Sequence, residues 1–339
     1  MEISIVVSVN GAKQYPQQCI DSLLSQTYTD IQVLLISYSS RPQWEAQSED
    51  ARLQVLCCDG AHTDALNLGI REAKGEYILF LDPDTWLDAD ALEILIDEAL
   101  AEELDMVRFN CIREYRDKNM VPKNPILPDR VCRGEDVAKA CRLTVGLTDR
   151  QMAHTEWING LAMANFCMYR KAIIDENNLQ FENVADGKLF SDCLFNIRFL
   201  EKAQSFWYMK AALCHCMTPE AYGLSPDYRE NLLARQLQFF EKLRQWVDRQ
   251  EDPRYLVAYY NRVACSTLEI SLNALKSDKP KKEQYREIKE IRKSPVHRAA
   301  YRMLELRSLP AAWKMYYFYA KYGFTRRLYS MTKTIRSYQ

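Results

Sequence analysis

Apolar positions follow two rhythms along this chain. In the first third, short unbroken apolar runs alternate with segments of helical spacing. Ile3–Val9 is a β-branched run that predicts a buried strand, broken by Asn10-Gly11. Residues 15–26 then put Cys19, Ile20, Leu23 and Leu24 on one helical face. Residues 31–36 and Leu53–Cys57 predict two more strands, the first followed by a polar loop at 37–42. Residues 64–74 predict a helix closed by Gly75 as C-cap. Tyr77–Leu81 predicts a fully buried strand, Asp88 a cap on a helix over 89–102, and 106–111 a further strand. Strands that alternate with helices predict an α/β fold with a mostly parallel central sheet flanked by helices. In such sheets ligands bind outside the carboxyl ends of the strands. Asn10, residues 37–41, Asp59 and Asp82–Asp84 all follow predicted strands, so they belong on one rim.

The pattern then loosens. Pro122, Pro125 and Pro128 break any long element, and 133–150 predicts a helix. A second set of signals covers a strand at 162–169, a helix at 171–177, an amphipathic helix starting in 190–200 and a last strand at 211–217. After Tyr228 strand-like runs vanish. Leu232, Leu233, Leu237, Phe240, Leu243 and Trp246 start a helical rhythm that continues through Leu256, Tyr260, Val263 and Leu268. No internal repeat is present.

Composition narrows the class. The chain has 339 residues, long enough for an ample core. Its 45 Lys+Arg balance 46 Asp+Glu, so net charge gives no argument for nucleic acid. No apolar run reaches the length of about 18 residues that a membrane-spanning helix needs. Eleven cysteines without a CxxC pair, and no basic leader before Ile3, predict reduced thiols in the cytoplasm. Cys214 and Cys216 alternate with Leu213 and His215, so on a strand the two thiols share one face.

The chemistry concentrates at Asp82-Pro83-Asp84. Two acids at the end of a buried strand are poorly explained by packing, because unpaired buried charge is costly. A divalent cation such as Mg²⁺ or Mn²⁺ explains them, since such sites use one or two carboxylates plus substrate phosphates. The plainer alternative is a proline turn whose acids face water or cap the next helix.

Four stretches resemble the nucleotide-sugar half of an inverting family 2 glycosyltransferase of the GT-A fold. They are Ile3-Ser4-Ile5-Val6-Val7-Ser8-Val9, Cys19-Ile20-Asp21-Ser22-Leu23-Leu24-Ser25-Gln26-Thr27-Tyr28, Asn67-Leu68-Gly69-Ile70 through Ala73-Lys74-Gly75-Glu76-Tyr77, and Phe80-Leu81-Asp82-Pro83-Asp84. The second half matches more loosely, through Tyr169-Arg170-Lys171 and Phe190-Ser191-Asp192. The resemblance implies a GT-A domain over 1–225, with a nucleotide-sugar half at 1–111 and an acceptor half at 112–225, then a helical region at 226–339. It implies an enzyme that moves a sugar from a nucleotide-diphosphate donor, a UDP-sugar foremost, to a hydroxyl of a bacterial surface glycan or glycoconjugate. Asp82 and Asp84 match the DxD motif that binds Mn²⁺ or Mg²⁺ with the donor diphosphate. Ser8, Asn10, Tyr38 and Asp59 stand where the donor would lie. Asp192 matches the general base. His215 stands where many such enzymes complete the metal site, and Trp86 and Trp157 could wall the sugar sites. Plainer readings stay open: an N-cap for Asp192, a core histidine for His215, core aromatics for the tryptophans.

The departures from the family are specific. Its usual Asp-Asp-Gly-Ser is Ser37-Tyr38-Ser39-Ser40 here, its Ala-Arg-Asn is Ala65-Leu66-Asn67, the acid after the DxD is Thr85, and the Glu before the base is Ser191. These losses admit a second class, a catalytically degenerate domain that scaffolds an active transferase. A nucleotidyltransferase would want a Gly-rich basic loop after the first strand, and residues 10–14 serve that poorly. The stretch from Leu306 carries seven Lys or Arg, no acid, and many aromatics. It suggests a peripheral seat on the anionic inner face of the cell membrane, beside a lipid-linked glycan acceptor. Helices packed on the domain are the alternative, and a homo-oligomer is compatible with either.

Overall fold

A computed structural model describes residues 2–10, 17–39, 48–115, 117–184, 187–217 and 228–337. Gly11, Ser40, Arg41 and the start of the first expected helix lie outside them. Two compact units are present, Met1–Cys141 with Ala162–Ser225, and Arg142–Leu161 with Pro226–Gln339.

The first unit is an α/β layer structure. Strands β1 (Ile3–Val9), β2 (Ile31–Ser37), β3 (Leu53–Cys57) and β4 (Tyr77–Leu81) are mutually parallel in the order β3-β2-β1-β4. Beyond β4 the sheet continues through β9 (Cys167–Arg170), β6 (Met106–Glu114), β10 (Ser205–Met217) and β5 (Thr85–Leu87). β9 is antiparallel to both its neighbours, and β5 is antiparallel to β10. Two short strands, β7 (Asn119–Met120) and β8 (Val131–Arg133), pair antiparallel with β6 and β10.

β1, β2 and β4 are buried along their whole length, which is why they read as unbroken apolar runs. One face packs Ile5, Val7, Val33, Leu79 and Leu81 against α1 (Gln17–Leu24) and α3 (Ala91–Ala101), through Ile20, Leu23, Leu92 and Leu95. The other face carries Val6 beneath α2 (His62–Glu72). It also holds an aromatic cluster in which Phe80 meets Tyr169, Phe181 and Phe195 edge-on. Phe195 comes from α6 (Lys188–Lys202). Two further helices are α4 (Glu135–Val145) and α5 (Lys171–Glu176).

Several expectations are corrected. Gly75 does not cap a helix: α2 ends at Glu72, with Ala73 as an extended C-cap. Gly75 lies against β1, where a Cβ would come 2.6 Å from the Ser4 backbone nitrogen. The buried Ser4 hydroxyl accepts the Lys74 and Gly75 amides at 3.1 and 2.8 Å and donates to Gln32 at 2.7 Å. The glycine is therefore demanded by close backbone approach. Asp88 does not cap α3, whose N-cap is Asp90; its side chain goes to His215 instead. α6 begins at Lys188, so Asp192 lies within the helix rather than at its cap.

The second unit is helical: α7 (Leu232–Val247), α8 (Arg254–Lys276), α9 (Lys281–Lys293), α10 (Pro295–Met303), α11 (Ala311–Tyr322) and α12 (Thr325–Arg336). The stretch Arg142–Leu161, expected in the acceptor half, clusters here. Its reason is Arg262 of α8, which donates to the carbonyls of Thr144, Val145 and Ile158 and to the Asn159 side chain.

Because a methyl at Gly75 would meet backbone rather than a yielding side chain, Gly75→Ala should destabilise the protein by about 1–3 kcal/mol, the usual cost of overpacking. A thermal melt will show a Tm lower by several degrees. An unchanged Tm would mean that the approach to Ser4 is looser than described.

Candidate active site

β4 runs straight into the site. Leu81 is followed by Asp82-Pro83-Asp84, and β5 begins at once with Thr85. The turn is fixed by backbone bonds: the Thr85 amide donates to Asp82 O at 3.0 Å, and the Met217 amide of β10 to Asp84 O at 3.1 Å. Both carboxylates line a cavity of about 460 Å³, with Ser8, Tyr38, the Gly60–Thr63 segment, Asn183 and Lys188 on its other walls. That volume suits a small-molecule site.

The two acids have different fates. Asp82 accepts a 2.9 Å bond from the Asn165 amide group and forms an ion pair with the Lys188 ammonium. Burial alone would raise its pKa, but the Lys188 charge and hydrogen bond, with His62 and Asn165, hold it below the ordinary value. Asp84 has a buried Oδ1 without a partner. Burial, and then the neighbouring Asp82 charge, push its pKa up to about 6. An under-neutralised pair of carboxylates is what a divalent cation would relieve, so these residues fit such an ion together with donor phosphates.

A short loop holds the second candidate acid. Asp192 is fully buried on α6, and its Oδ2 accepts the Ala164 amide at 3.1 Å while Oδ1 has no partner among the described residues. Burial raises its pKa to about 7 against the opposing pull of Lys188. Ala164 and Asn165 belong to the same loop, so residues 164–165 hold both Asp192 and Asp82. Arg108 of β6 ties that loop down, donating to the carbonyls of Met163 and Asn165 at 2.9 and 3.3 Å. Phe166 takes a left-handed φ of 64° as the loop enters β9.

The spacing along α6 explains the arrangement. Lys188, Asp192, Phe195 and Phe199 recur at four, three and four residues, one helical face. Phe195 and Phe199 pack on Tyr169 of β9, so the same face brings Lys188 and Asp192 toward the end of β4.

The structure gathers some of the expected residues and separates others. Ser8, Tyr38, Asp82 and Asp84 line the cavity. Asn10 hydrogen-bonds Tyr38 beside it. Asp59 is exposed and outside the lining, although its neighbour Gly60 is part of it. Asp192 is not on the cavity wall. His215 is engaged elsewhere: its Nδ1 contacts Glu114 at 2.6 Å, its Nε2 contacts Asp88 at 3.1 Å, and its ring stacks on Trp86 at 5.2 Å. The reason is strand alternation. Cys216 feels the charges of Asp84 and Asp82, and its neighbour His215 points to the other side of β10. Trp86 is spent on that stack, and Trp157 lies in the second unit. Among the described residues, no group of three or more His, Cys, Asp or Glu side chains is gathered as a metal cage.

Three site residues carried no signature in the sequence. His62 accepts or donates at 3.1 Å to the Ser8 hydroxyl, meets the Tyr38 ring edge-on at 5.6 Å, and keeps a buried Nε2 without a partner. Burial, then the Lys188 charge, lower its pKa to about 4, so it is neutral near pH 7. Asn165 and Lys188 are the other two. A helix drawn from Lys188 would have exposed the Lys188–Asp192 spacing.

The chain is similar to known proteins in sequence and in fold. The family model described as "Glycosyl transferase family 2" matches residues 4–177, more than half of the chain. The Bacillus subtilis (strain 168) "Uncharacterized glycosyltransferase EpsJ" is 26% identical over 208 residues, 60% of this chain and 57% of that protein. The Staphylococcus aureus (strain N315) "Poly(ribitol-phosphate) beta-N-acetylglucosaminyltransferase TarP" is 25% identical over 216 residues, 60% of this chain and 59% of its own length. The chain thus spans less than two thirds of these relatives. The crystal structure of S. aureus TarS 1-349 superposes with a TM-score of 0.58 at 13% identity, covering 100% of this chain and 92% of that one. A complex of the same protein with UDP-GlcNAc gives 0.51 at 12% identity, covering 100% and 93%. At those identities the likeness speaks for the fold.

Proposed function

The chain belongs to glycosyl transferase family 2, and we propose that it is a cation-dependent, inverting transferase that moves a sugar from a nucleotide-diphosphate donor, a UDP-sugar, to a hydroxyl of a bacterial surface glycan or glycoconjugate. One observation carries the reading: two acids at the end of a buried strand line a cavity, one of them with a buried oxygen that no group among the described residues satisfies. The UDP-GlcNAc complex of TarS and the glycan-directed name of TarP support the donor and acceptor classes.

Asp82 and Asp84 would hold a divalent cation, which when bound supplies Lewis-acid stabilisation of the leaving diphosphate. Tyr38 and His62 offer an aromatic corner for the nucleoside in place of the acids the family has there. In the transfer, the acceptor oxygen bonds to the anomeric carbon as the bond to the diphosphate breaks, and the electron pair leaves on the phosphate oxygen. Asp192 takes the acceptor proton. A carboxylate with one unsatisfied buried oxygen and a pKa near 7 suits that task better than it suits a packing role. Since Asp192 is buried, acceptor access requires the start of α6 to yield.

The Lys188–Asp82 ion pair also suits a second reading, a degenerate domain in which the lysine permanently fills the cation's place and the chain scaffolds another transferase. The two readings differ in whether nucleotide diphosphate binds at all.

A peripheral membrane seat belongs to the same reading. On α11, Tyr316, Tyr317 and Ala320 are buried, while Met315, Phe318 and Tyr322 share the exposed face, and Phe324 stacks beside Phe318. Lys314, Arg326 and Arg327 are exposed around them. Aromatics with a cationic rim fit an anionic lipid surface, each Lys or Arg adding about 1 kcal/mol there. Among the described residues no helix is long and apolar enough to cross a membrane.

Three outcomes follow. Calorimetry should show UDP binding that needs Mn²⁺ or Mg²⁺, is lost in EDTA and falls sharply in Asp84→Ala; equal affinity with EDTA would end the cation role. Asp192→Asn should keep donor binding but lose transfer by roughly 10²-fold or more, the usual weight of a general base; near-normal turnover would return Asp192 to a structural part. The protein should sediment with anionic vesicles at low salt and much less with neutral ones, and Phe318→Ser with Tyr322→Ser should weaken it. Binding that ignores lipid charge and both substitutions would remove the membrane seat.

A further inference from the structure

Lys188 opens α6 on the cavity wall, and its surroundings are more acidic than one ion pair needs. It is paired with Asp82, and the charges of Asp192 and Asp84 also act on it. It lines the same cavity as Asp82 and Asp84, and among the described residues Asp84 keeps an unpartnered oxygen. At the place where the family usually carries an arginine for the diphosphate, Leu66 is buried on α2 and offers no charge.

We propose that Lys188 is a relocating counter-cation of the donor site. Its ammonium neutralises Asp82; when a nucleoside diphosphate arrives with a divalent cation, Lys188 yields Asp82 and moves to the diphosphate oxygens. The proposal rests on the donor-site reading above and adds the residue that replaces the missing arginine. Three physical points carry it. An ammonium and a divalent ion compete for one carboxylate oxygen, because like charges at close distance repel. Lysine suits relocation, being a point charge on a flexible four-carbon stem, whereas a guanidinium fork would be held in place. As the sugar leaves, the diphosphate gains negative charge beyond what one divalent ion cancels, so a cation aimed at it is worth most in the transition state. The side chain is a third exposed, enough to swing within the cavity.

This assigns one residue two opposite effects, which a structural role cannot produce. Lys188→Met keeps the length of the side chain and removes the charge. Titrating Mn²⁺ alone into the full-length protein, followed by the loss of free Mn²⁺ signal in electron paramagnetic resonance, should show about tenfold tighter binding in Lys188→Met, because the competitor for Asp82 is gone. Calorimetry of UDP in saturating Mn²⁺ should show about tenfold weaker binding, the scale of one hydrogen bond to a charged group. Uridine, which has no phosphate, should bind both proteins alike. Both affinities falling together would make Lys188 a structural strut, and an unchanged Mn²⁺ affinity would show that it does not compete for Asp82; either overturns the proposal. Gained Mn²⁺ binding in the variant with no UDP binding in the wild type would also overturn it, making the lysine a permanent plug. If Asp84→Ala abolishes UDP binding while Lys188→Met preserves it, only the role of Lys188 fails. If both variants preserve it, the donor-site reading itself fails.

Discussion

The architecture turns on one electrostatic problem: two carboxylates are forced together at the carboxyl end of a strand that is buried along its length. An isolated ionised carboxylate in such a place costs several kcal/mol even after relaxation. The fold answers it partially. Lys188 and Asn165 satisfy Asp82 and keep it ionised. Among the described residues nothing satisfies Oδ1 of Asp84, and burial, with the Asp82 charge beside it, raises its pKa. Perturbed, incompletely neutralised acids of this kind cluster at functional sites.

The elements around this point make sense as ways of delivering partners to it. The parallel core β3-β2-β1-β4 sets Ser8, Tyr38 and the Asp82–Asp84 turn on one rim. Inserting antiparallel β9 beside β4 brings the loop at 163–166 to the same rim, where one residue holds Asp82 and its neighbour holds Asp192. Arg108 fixes that loop from β6, so the position of both acids depends on a buried guanidinium on a different strand. α6 supplies cation and acid from one face, anchored by Phe195 and Phe199 in the aromatic cluster. Losing those aromatic contacts would release the chemistry as well as the packing.

Much of this was legible along the chain. The β-branched and aliphatic runs of β1, β2 and β4 mark strands buried on both faces, because only such strands lack polar alternation. Their order with the intervening helices points to a mostly parallel α/β sheet, and the rule that ligands sit beyond the strand ends picks out Asn10, Tyr38, Asp59 and the Asp82–Asp84 turn, of which Asp59 lies outside the cavity lining. The helical rhythm after Tyr228 likewise marks the second unit. These are local signals: period, propensity and a charge pair where none should be.

What the tertiary structure decided involves long-range geometry. Gly75 looks like a helix cap in sequence, yet it is required by the backbone of Ser4, which is distant along the chain. His215 looks like a ligand until the register of β10 against β5 turns it to Trp86, Asp88 and Glu114. The plainer reading of Asp192 as a cap fails because α6 starts at Lys188, a turn earlier. The counter-charge at Asp82 comes from Lys188, over a hundred residues away. Sequence patterns carry the period of an element, whereas the pairing of charges depends on where the elements dock, and docking is a property of the packed core.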